Sequence, residues 1–408
     1  MEKDIDRLAG FLRDLARALH VSGTPTHDLE RHLTRIGQRF GVRVEGFAVL
    51  TMLTIHVAAD GVPPRIEMLR LPAYDYNMAR LIALDDLIRK VDGFADLAVY
   101  EARLKAIVSA PPIWPGWALI LLGFPISGGI AVLLSGGWVE VLCGGLVGVL
   151  FVWGYLVLGR IPRLGPAMPV ILCATAAIFA HLLSLVWPQQ TSFIPAVAGI
   201  VMMLPGFTLT IAMSELATQN LLAGTGRLAG AHVLLFMMGA GLLIGTQICE
   251  HLIPAHTTGT LARLPSWMAW PAIATLGVCM LGILQAPLRS VHVLVSGSLL
   301  AWVVFSIVDA VLGHVVGAFA AALAVASAGH IYTYLTGQPD ILVKIPGLII
   351  LVPGSMGFRG LHALIEQESA VGINLLVDMA MIGAVLAVGL LLADNIVPWL
   401  FERLKAKK

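Results

Sequence analysis

Residues 114–158 decide the fold class, and they read WPGWALILLGFPISGGIAVLLSGGWVEVLCGGLVGVLFVWGYLVL. This stretch has a single charged residue, Glu140, and its two apolar runs, 116–134 and 138–158, are separated by Ser-Gly-Gly. A helix needs about 20 apolar residues to cross a bilayer. Backbone groups inside the bilayer must also be satisfied within the segment, as they are in a helix. The stretch therefore predicts two transmembrane helices joined by a tight turn.

Apolar runs of the same length recur toward the C-terminus, separated by short connections that carry Gly, Pro, Ser or a lone charge. Each run is long enough to span a bilayer. We expect ten transmembrane helices, at 116–134, 138–158, 167–187, 193–213, 227–248, 267–284, 290–309, 314–335, 342–363 and 372–398.

The charged residues lie mainly before this block. Residues 1–113 hold 15 Lys/Arg and 15 Asp/Glu, whereas residues 114–400 hold 7 and 9. The whole chain is 58% hydrophobic and 12% charged, against about 25% charged in an ordinary soluble domain. We therefore predict a small soluble α+β domain at 1–113 and two five-helix membrane modules, at 114–248 and at 249–408 with a basic tail.

The first domain shows its own pattern of secondary structure. Apolar residues follow helical spacing through 5–20, and Thr24-Pro25 is a start signal for a second helix that ends near Phe40. The other expected elements are strands within 42–58 and at 65–71, a turn at Asp60-Gly61, and helices at 74–91 and 94–108.

Several classes of function are disfavoured by composition. The net charge of +1 argues against a nucleic-acid partner. The four cysteines show no CxxC spacing, so we predict no metal site and no disulfide framework. No phosphate-binding loop is evident, and we predict no cofactor. His27 and Glu30 suggest a hydrolase, but their spacing differs from that of a metalloprotease helix, so we favour a solvated helix face and no enzyme.

Each module carries one proline–glycine pair in its fourth span, Pro205-Gly206 and Pro353-Gly354. A five-span unit that occurs twice in one chain inserts with opposite orientations. Such inverted repeats are recurrent in transporters, with the site where broken helices meet near the midplane. We therefore expect ten helices arranged as two inverted five-helix repeats, although each pair could also be a structural kink.

The two breaks suit a zwitterion. Proline releases the carbonyl four residues earlier, which here predicts free carbonyls at Val201 and Ile349 for an ammonium group. The next half-helix presents free N–H groups and a positive dipole end to a carboxylate. The predicted substrate-binding residues are Pro205, Gly206, Thr208, Thr210, Pro353, Gly354 and Ser355.

Ionisable residues at membrane depth are candidates for proton coupling, because a buried charge is costly unless it is paired or hydrated and is therefore rare without a function. Asp378 lies deepest in its span, Asp309 and His314 flank a short turn, and Glu215 and Arg359 follow the two breaks. The predicted coupling residues are Asp378, Asp309, Glu215 and Arg359. The alternative for Asp309 and Glu215, and our interpretation of Asp394, is a place in the membrane interface. We interpret the histidines within the spans as packed or hydrogen-bonded helix residues, and these are His181, His232, His292 and His330.

The placement of Lys and Arg predicts orientation, because cytoplasmic loops are enriched in both. With the N-terminus inside, the inner loops and tail hold most of them, and the even number of spans puts both termini in the cytoplasm. The inner residues are Arg160, Arg163, Arg227, Arg289, Lys344, Arg403, Lys405, Lys407 and Lys408.

Four stretches together resemble the threonine/serine exporter family in its fused two-module form. They are SGTPTHDLE at 22–30, the Pro-Pro pair at 111–112, LPGFTLTIAMSELATQNLLAGTGRLAGA at 204–231 and IPGLIILVPGSMGFRGL at 345–361. The resemblance implies a ten-span secondary exporter of threonine and serine, driven by the proton motive force, with a cytoplasmic N-terminal domain. It departs at Ile211-Ala212, where the family pattern leads us to expect a polar Asn.

The leading hypothesis is thus a proton-coupled exporter of small hydroxy amino acids in the prokaryotic cytoplasmic (inner) membrane. Its partners would be the amino acid, protons and the lipid bilayer, and self-association into a homo-oligomer is left open. The alternatives are an exporter or channel for another small polar metabolite, such as a dicarboxylate, and a membrane-bound enzyme.

Overall fold

The structure is a computed structural model, and it describes residues 2–49, 51–72, 76–94, 96–188, 192–252, 263–352, 354–365 and 368–406. The described residues are 79% helical, and the chain divides into two compact units. The first unit comprises Met1–Ile113, Thr218–Arg227 and Ile283–Pro287, and the second comprises Trp114–Ala217, Leu228–Gly282 and Leu288–Lys408.

The first unit combines helices with a small sheet. Its strands form an antiparallel meander in the order β1-β2-β3. Its elements are α1 (Glu2–Val21), α2 (Thr26–Arg39), β1 (Arg43–Val49), β2 (Met52–Ala59), β3 (Val62–Arg70), α3 (Met78–Lys90) and α4 (Leu97–Ser109).

The core of this unit lies between α1, α2 and one face of the sheet. The apolar stripe predicted for the first helix is confirmed, since Leu8, Leu12 and Leu15 are fully buried. Period-2 alternation buries Leu53, Ile55 and their neighbour Val57 on β2. The sheet side of this core is thus built as its sequence pattern requires.

Several boundaries in this unit differ from prediction by a few residues, among them those of α2 and β3. The second helix begins at Thr26 with Pro25 as its N-cap, one residue later than expected. The third strand begins at Val62 and includes Pro63 and Pro64. Both prolines lie at an irregularity in the pairing of β3 with β2, between the pairs Ala59–Val62 and Val57–Arg65, and proline is tolerated at such a place in an edge strand.

The second unit is a bundle of apolar helices. Its elements are α5 (Gly116–Leu133), α6 (Trp138–Leu158), α7 (Met168–Val186), α8 (Phe193–Ile200), α9 (Gly206–Ala217), α10 (Leu221–Leu252), α11 (Ala269–Ile283), α12 (Val291–Leu312), α13 (His314–Thr336), α14 (Ile341–Leu351), α15 (Gly354–Ile365) and α16 (Ser369–Ala406). The first turns of α10 and the end of α11 belong to the first unit.

Among the described residues, nine helices are long and apolar enough to cross a membrane, and the bent pair α8–α9 raises the number to ten if it counts as one span. The ten expected spans are therefore compatible with the structure. The same order of elements occurs twice, from α5 to α10 and from α11 to α16, each time with a broken fourth span. The half-helix α8 packs on α5, α6 and α7, and α14 packs on α12 and α13.

Candidate site at two helix breaks

The first break separates α8 from α9. A 3₁₀ turn at Val201–Met203 follows α8, and α9 restarts at Gly206, so that the two segments are bent by 48°. The prediction of a free carbonyl at Val201 is wrong, because this oxygen accepts a hydrogen bond from Leu204 N at 3.1 Å. The 3₁₀ turn tightens the chain before the proline and uses the carbonyl that proline would have left open.

The second break separates α14, which ends at Leu351, from α15, which begins at Gly354. Pro353 lies outside the described residues. In the first break Pro205 and Gly206 are buried, and in the second Gly354 is buried.

The two breaks touch each other. A Cβ on Gly206 would overlap Val352 Cγ1 and lie 2.9 Å from Gly354 N. A Cβ on Gly354 would lie 3.2 Å from Leu204 Cβ and 3.4 Å from Gly206 Cα. The two backbone segments therefore approach so closely that only glycine fits at Gly206 without a shift of the backbone.

A second pair of glycines lets the half-helices that precede the breaks pack closely against neighbouring helices. Gly199 and Gly347 each lie six residues before the proline of their break (205 − 199 = 353 − 347 = 6). A Cβ on Gly199 would overlap Val147 of α6, and one on Gly347 would lie 2.7 Å from Val325 of α13. This Gly-x₅-Pro-Gly spacing is visible in the sequence and is a signal of the close packing at both breaks.

The predicted hydroxyl groups have different surroundings. Thr210 is fully buried, and its hydroxyl donates to Gly206 O of its own helix at 3.4 Å. Thr208 and Ser355 are half-buried and lie in the first turns of α9 and α15. The first N–H groups of those turns have no partner within the helix, so each break offers backbone donors beside a hydroxyl.

A cavity of about 270 Å³ lies beside the half-helices that follow the breaks. It is lined by residues of α9, α10, α15 and α16, among them Leu209, Gly357 and Met379. His232 is its titratable lining residue, and the ring Nδ1 donates to Leu228 O at 2.8 Å. The cavity is otherwise nearly apolar, so it is suited to an aliphatic group rather than to a charge.

The predicted coupling residues are not all brought to the breaks. Glu215 is buried on α9, the half-helix that starts at Gly206. Arg359 on α15 and Asp378 on α16 are exposed. Asp309 forms an ion pair with His314 across the turn between α12 and α13, where Gly313 has φ +84°.

Sequence reasoning missed a charged cluster at the start of α14. Lys344 lies one turn after Asp340 and pairs with it. Lys344 Nζ also lies 2.7 Å from Asp394 Oδ1 of α16 and 3.3 Å from His330 Nε2 of α13. A lone lysine in an otherwise apolar span, four residues after an aspartate, is the signal that could have indicated it.

These groups do not form a metal site in the usual sense. Donor atoms of His330, Asp340 and Asp394 lie within 4.8 Å of one another. The Lys344 ammonium donates hydrogen bonds to Asp340 Oδ2 and Asp394 Oδ1, so the chain itself supplies the cation that the two carboxylates attract.

The residues that suggested a hydrolase have a structural role where they are described. Glu30 Oε1 accepts a hydrogen bond from Ala48 N at 2.8 Å and so ties α2 to β1. The side chain of His27 lies outside the described residues.

Two family profiles match the chain. The profile described as "Putative threonine/serine exporter" matches residues 11–249. The profile described as "Threonine/Serine exporter, ThrE" matches residues 268–396. The chain belongs to the threonine/serine exporter family. It is accordingly a multi-pass α-helical membrane protein of a transport family.

Individual relatives extend over most of the chain. A threonine/serine exporter of Corynebacterium glutamicum is 25% identical over 433 aligned positions, which cover 98% of this chain and 84% of that protein. Two uncharacterized proteins of Schizosaccharomyces pombe are 20% and 23% identical over 87% and 88% of this chain, and the matches cover 44% and 49% of those longer proteins. No solved structure matches significantly.

Proposed function

We propose that this chain is a secondary active exporter of threonine and serine, with the substrate bound where the two helix breaks meet. The observation that carries the proposal is the backbone contact between Gly206 and Gly354. It brings two helix N-termini together in the interior of an apolar bundle, where a polar solute needs preformed partners.

The chemistry of the breaks fits a small hydroxy amino acid. The first turns of α9 and α15 present N–H groups and positive dipole ends that would hold the carboxylate. Thr208 and Ser355 supply hydroxyls that can pair with the hydroxyl of the substrate. Backbone carbonyls before the breaks, which retain lone pairs, would take the ammonium group. Pro205, Thr210 and Pro353 would shape the breaks.

The architecture we propose is two inverted five-helix repeats, 114–248 and 249–408, after an N-terminal domain at 1–113. The repeated order of elements supports it, and the two family profiles divide within residues 250–267. The placement of Lys and Arg supports cytoplasmic termini in a prokaryotic inner membrane.

We further propose that export is coupled to protons and involves no enzymatic step and no cofactor. Among the predicted carboxylates, Glu215 is the one best placed to couple proton binding to the substrate, because it is buried on the half-helix that begins at Gly206. Asp309 with His314 offers a second titratable pair. Asp378 and Arg359, both exposed, would act at a surface, including that of a homo-oligomer.

A dicarboxylate is the second candidate substrate. Two helix N-termini meet at the site, and each could hold one carboxylate. An amino acid would use one carboxylate and one ammonium instead.

Counterflow in proteoliposomes tests the proposal. Vesicles loaded with unlabelled threonine should accumulate labelled threonine, with inhibition by serine and only weak competition by valine, which has the same shape without the hydroxyl. Strong competition by succinate would favour the dicarboxylate, and absence of counterflow with either class of solute would refute the exporter.

A further inference from the structure

Lys344 is the only charged residue of α14, whose sequence is ILVKIPGLIIL. Its side chain is only 12% exposed. A buried ammonium is costly unless it is paired. An ionisable group inside a membrane span is therefore a functional candidate together with its partners.

The partners of Lys344 come from three elements. Asp340 precedes α14 by one residue, Asp394 lies on α16 and His330 lies on α13. His330 Nε2 is 2.7 Å from Asp394 Oδ1, and its Nδ1 is 3.7 Å from Asp340 Oδ2. The small residue Gly329 permits this approach, because a Cβ there would lie 3.0 Å from Asp340 O.

The charges of this cluster leave room for one proton. With His330 neutral, one lysine and two aspartates sum to a charge of −1, and a proton on His330 brings the sum to zero. Among the described residues, the side chains of His330, Asp340, Lys344 and Asp394 form their ion pairs with one another alone. A net charge is disfavoured at membrane depth, so the cluster is suited to binding a single proton reversibly.

The cluster is also mechanically connected to the candidate substrate site. Lys344 and the end of α14 at Leu351 are about 10 Å apart along one continuous helix. Val352, the next residue, is packed against Gly206. A change in how Lys344 is held at one end of α14 therefore reaches the second break at the other end.

We propose that the cluster of His330, Asp340, Lys344 and Asp394 is the site where the coupling proton exchanges with the cytoplasm. The inference rests on the proposed export function. When His330 binds the proton, the imidazolium pairs with Asp394 and leaves Lys344 to Asp340. When His330 releases the proton, Lys344 has to neutralise both carboxylates, and this draws α14 toward α16. One proton gained or lost thus moves the half-helix that ends at the substrate site.

Two transport modes of the full-length chain in proteoliposomes test this assignment. Counterflow exchange needs no net proton movement, whereas threonine uptake against a gradient, driven by an acidic vesicle interior, needs coupling. His330→Gln should keep counterflow within about twofold and lose at least tenfold of the uptake driven by the pH gradient. Asp394→Asn makes the cluster neutral without a proton. It should likewise keep counterflow and lose the uptake driven by the pH gradient.

His292→Gln is the matched control, because His292 is an exposed histidine on α12, and it should keep both modes. Coupled uptake that survives in both His330→Gln and Asp394→Asn overturns the assignment. Loss of counterflow along with uptake in both variants, with unchanged thermal unfolding, also overturns it, since the cluster would then serve substrate binding.

Measurements on the wild-type chain distinguish a failure of the proton-site assignment from a failure of the proposed export function. Absence of wild-type counterflow refutes the exporter itself. Wild-type counterflow without any response to a pH gradient refutes proton coupling and this inference while it leaves the exporter standing.

Discussion

The two helix breaks share the same spacing of glycine and proline but carry their charged groups on opposite sides. In the first break α8 has no charged residue, and the polar residues Thr208, Thr210 and Glu215 all follow the proline. In the second break Lys344, Asp340 and His330 precede the proline, and Asp394 joins them from α16. The half-helix that follows this break has Ser355 and an exposed Arg359.

The difference shows which features the repeated geometry constrains. A Cβ at Gly206, Gly199 or Gly347 would lie 2.7 Å or less from a neighbouring side chain, and one at Gly354 would lie 3.2 Å from Leu204 Cβ, so space is tight at all four positions. Side chains elsewhere on the half-helices are not fixed by this contact. Under the proposed function, both breaks contribute to the substrate site, and the charged cluster around Lys344 is found before the second break alone among the described residues.

The largest effect is expected at the contact between the breaks. Gly206→Ala would place a methyl group against Val352 and the Gly354 backbone. Overpacking of this kind costs about 1–3 kcal/mol, or about 5–150-fold in rate if transport needs this contact. Threonine counterflow in proteoliposomes measures the loss.

Gly230→Ala is the control for this substitution, since a Cβ at Gly230 on α10 meets nothing within 4 Å. Its counterflow should equal that of the wild type. Equal rates for Gly206→Ala and Gly230→Ala would show that the two breaks need not touch.

The next effect separates the two sides of the second break. Lys344→Met leaves two carboxylates without their cation, and breaking a buried pair costs roughly 3 kcal/mol. Thermal unfolding of the purified chain in detergent should show a clear loss of stability. Arg359→Met, on the exposed side of the same break, should stay within about 0.5 kcal/mol of the wild type. Partial recovery in the double variant Lys344→Met/Asp394→Asn would confirm that unpaired charge is the cause.

A smaller effect is expected on selectivity at the first break. Thr208→Val removes one hydroxyl without a change of shape, and one hydrogen bond is worth about 1 kcal/mol, or roughly fivefold. The ratio of threonine to valine counterflow should fall by that factor. Thr175→Val, an exposed threonine of α7, should leave the ratio unchanged. If Ser355→Ala lowers the ratio and Thr208→Val does not, the second break is the one that hydrogen-bonds the substrate hydroxyl.

The smallest effect concerns the segment that follows the first break. Thr218–Arg227 belongs to the first unit, whereas the chain after α15 belongs to the second. Burial lowers the pKa of His20 from 6.5, a hydrogen bond to Pro72 O opposes the change, and the charge of Arg227 lowers the pKa further. The fold therefore holds His20 neutral, and its contribution to stability is present above the ordinary pKa and is lost as pH falls below it.

His20→Gln keeps a side-chain donor for Pro72 O and removes this titration. Between about pH 7.5 and pH 5.5, amides of α1 and of residues 221–227 should lose protection in the wild type more than in His20→Gln. Hydrogen exchange of both chains, compared at each pH, measures the difference. Identical pH dependence in the two chains would show that His20 does not couple this segment to acidity.

Several features could be predicted from local pattern because their cause is local. The stripe of Leu8, Leu12 and Leu15 follows from helical spacing, and the membrane helices follow from run length and the absence of charge. The places where the fourth spans break follow from proline chemistry. Whether the Val201 carbonyl is hydrogen-bonded could not be predicted in this way, because a proline can be preceded either by an open turn or by a 3₁₀ turn.

The sequence by itself determined that this is a polytopic helical membrane protein with two broken spans, since hydrophobic length and proline act within one segment. Only the tertiary structure decided that Gly206 meets Gly354, that Asp378 is exposed and that Lys344 gathers His330 and Asp394. All three features depend on how different helices pack against one another. Their partners depend on how small residues let the helices approach, which the composition of a single helix does not specify.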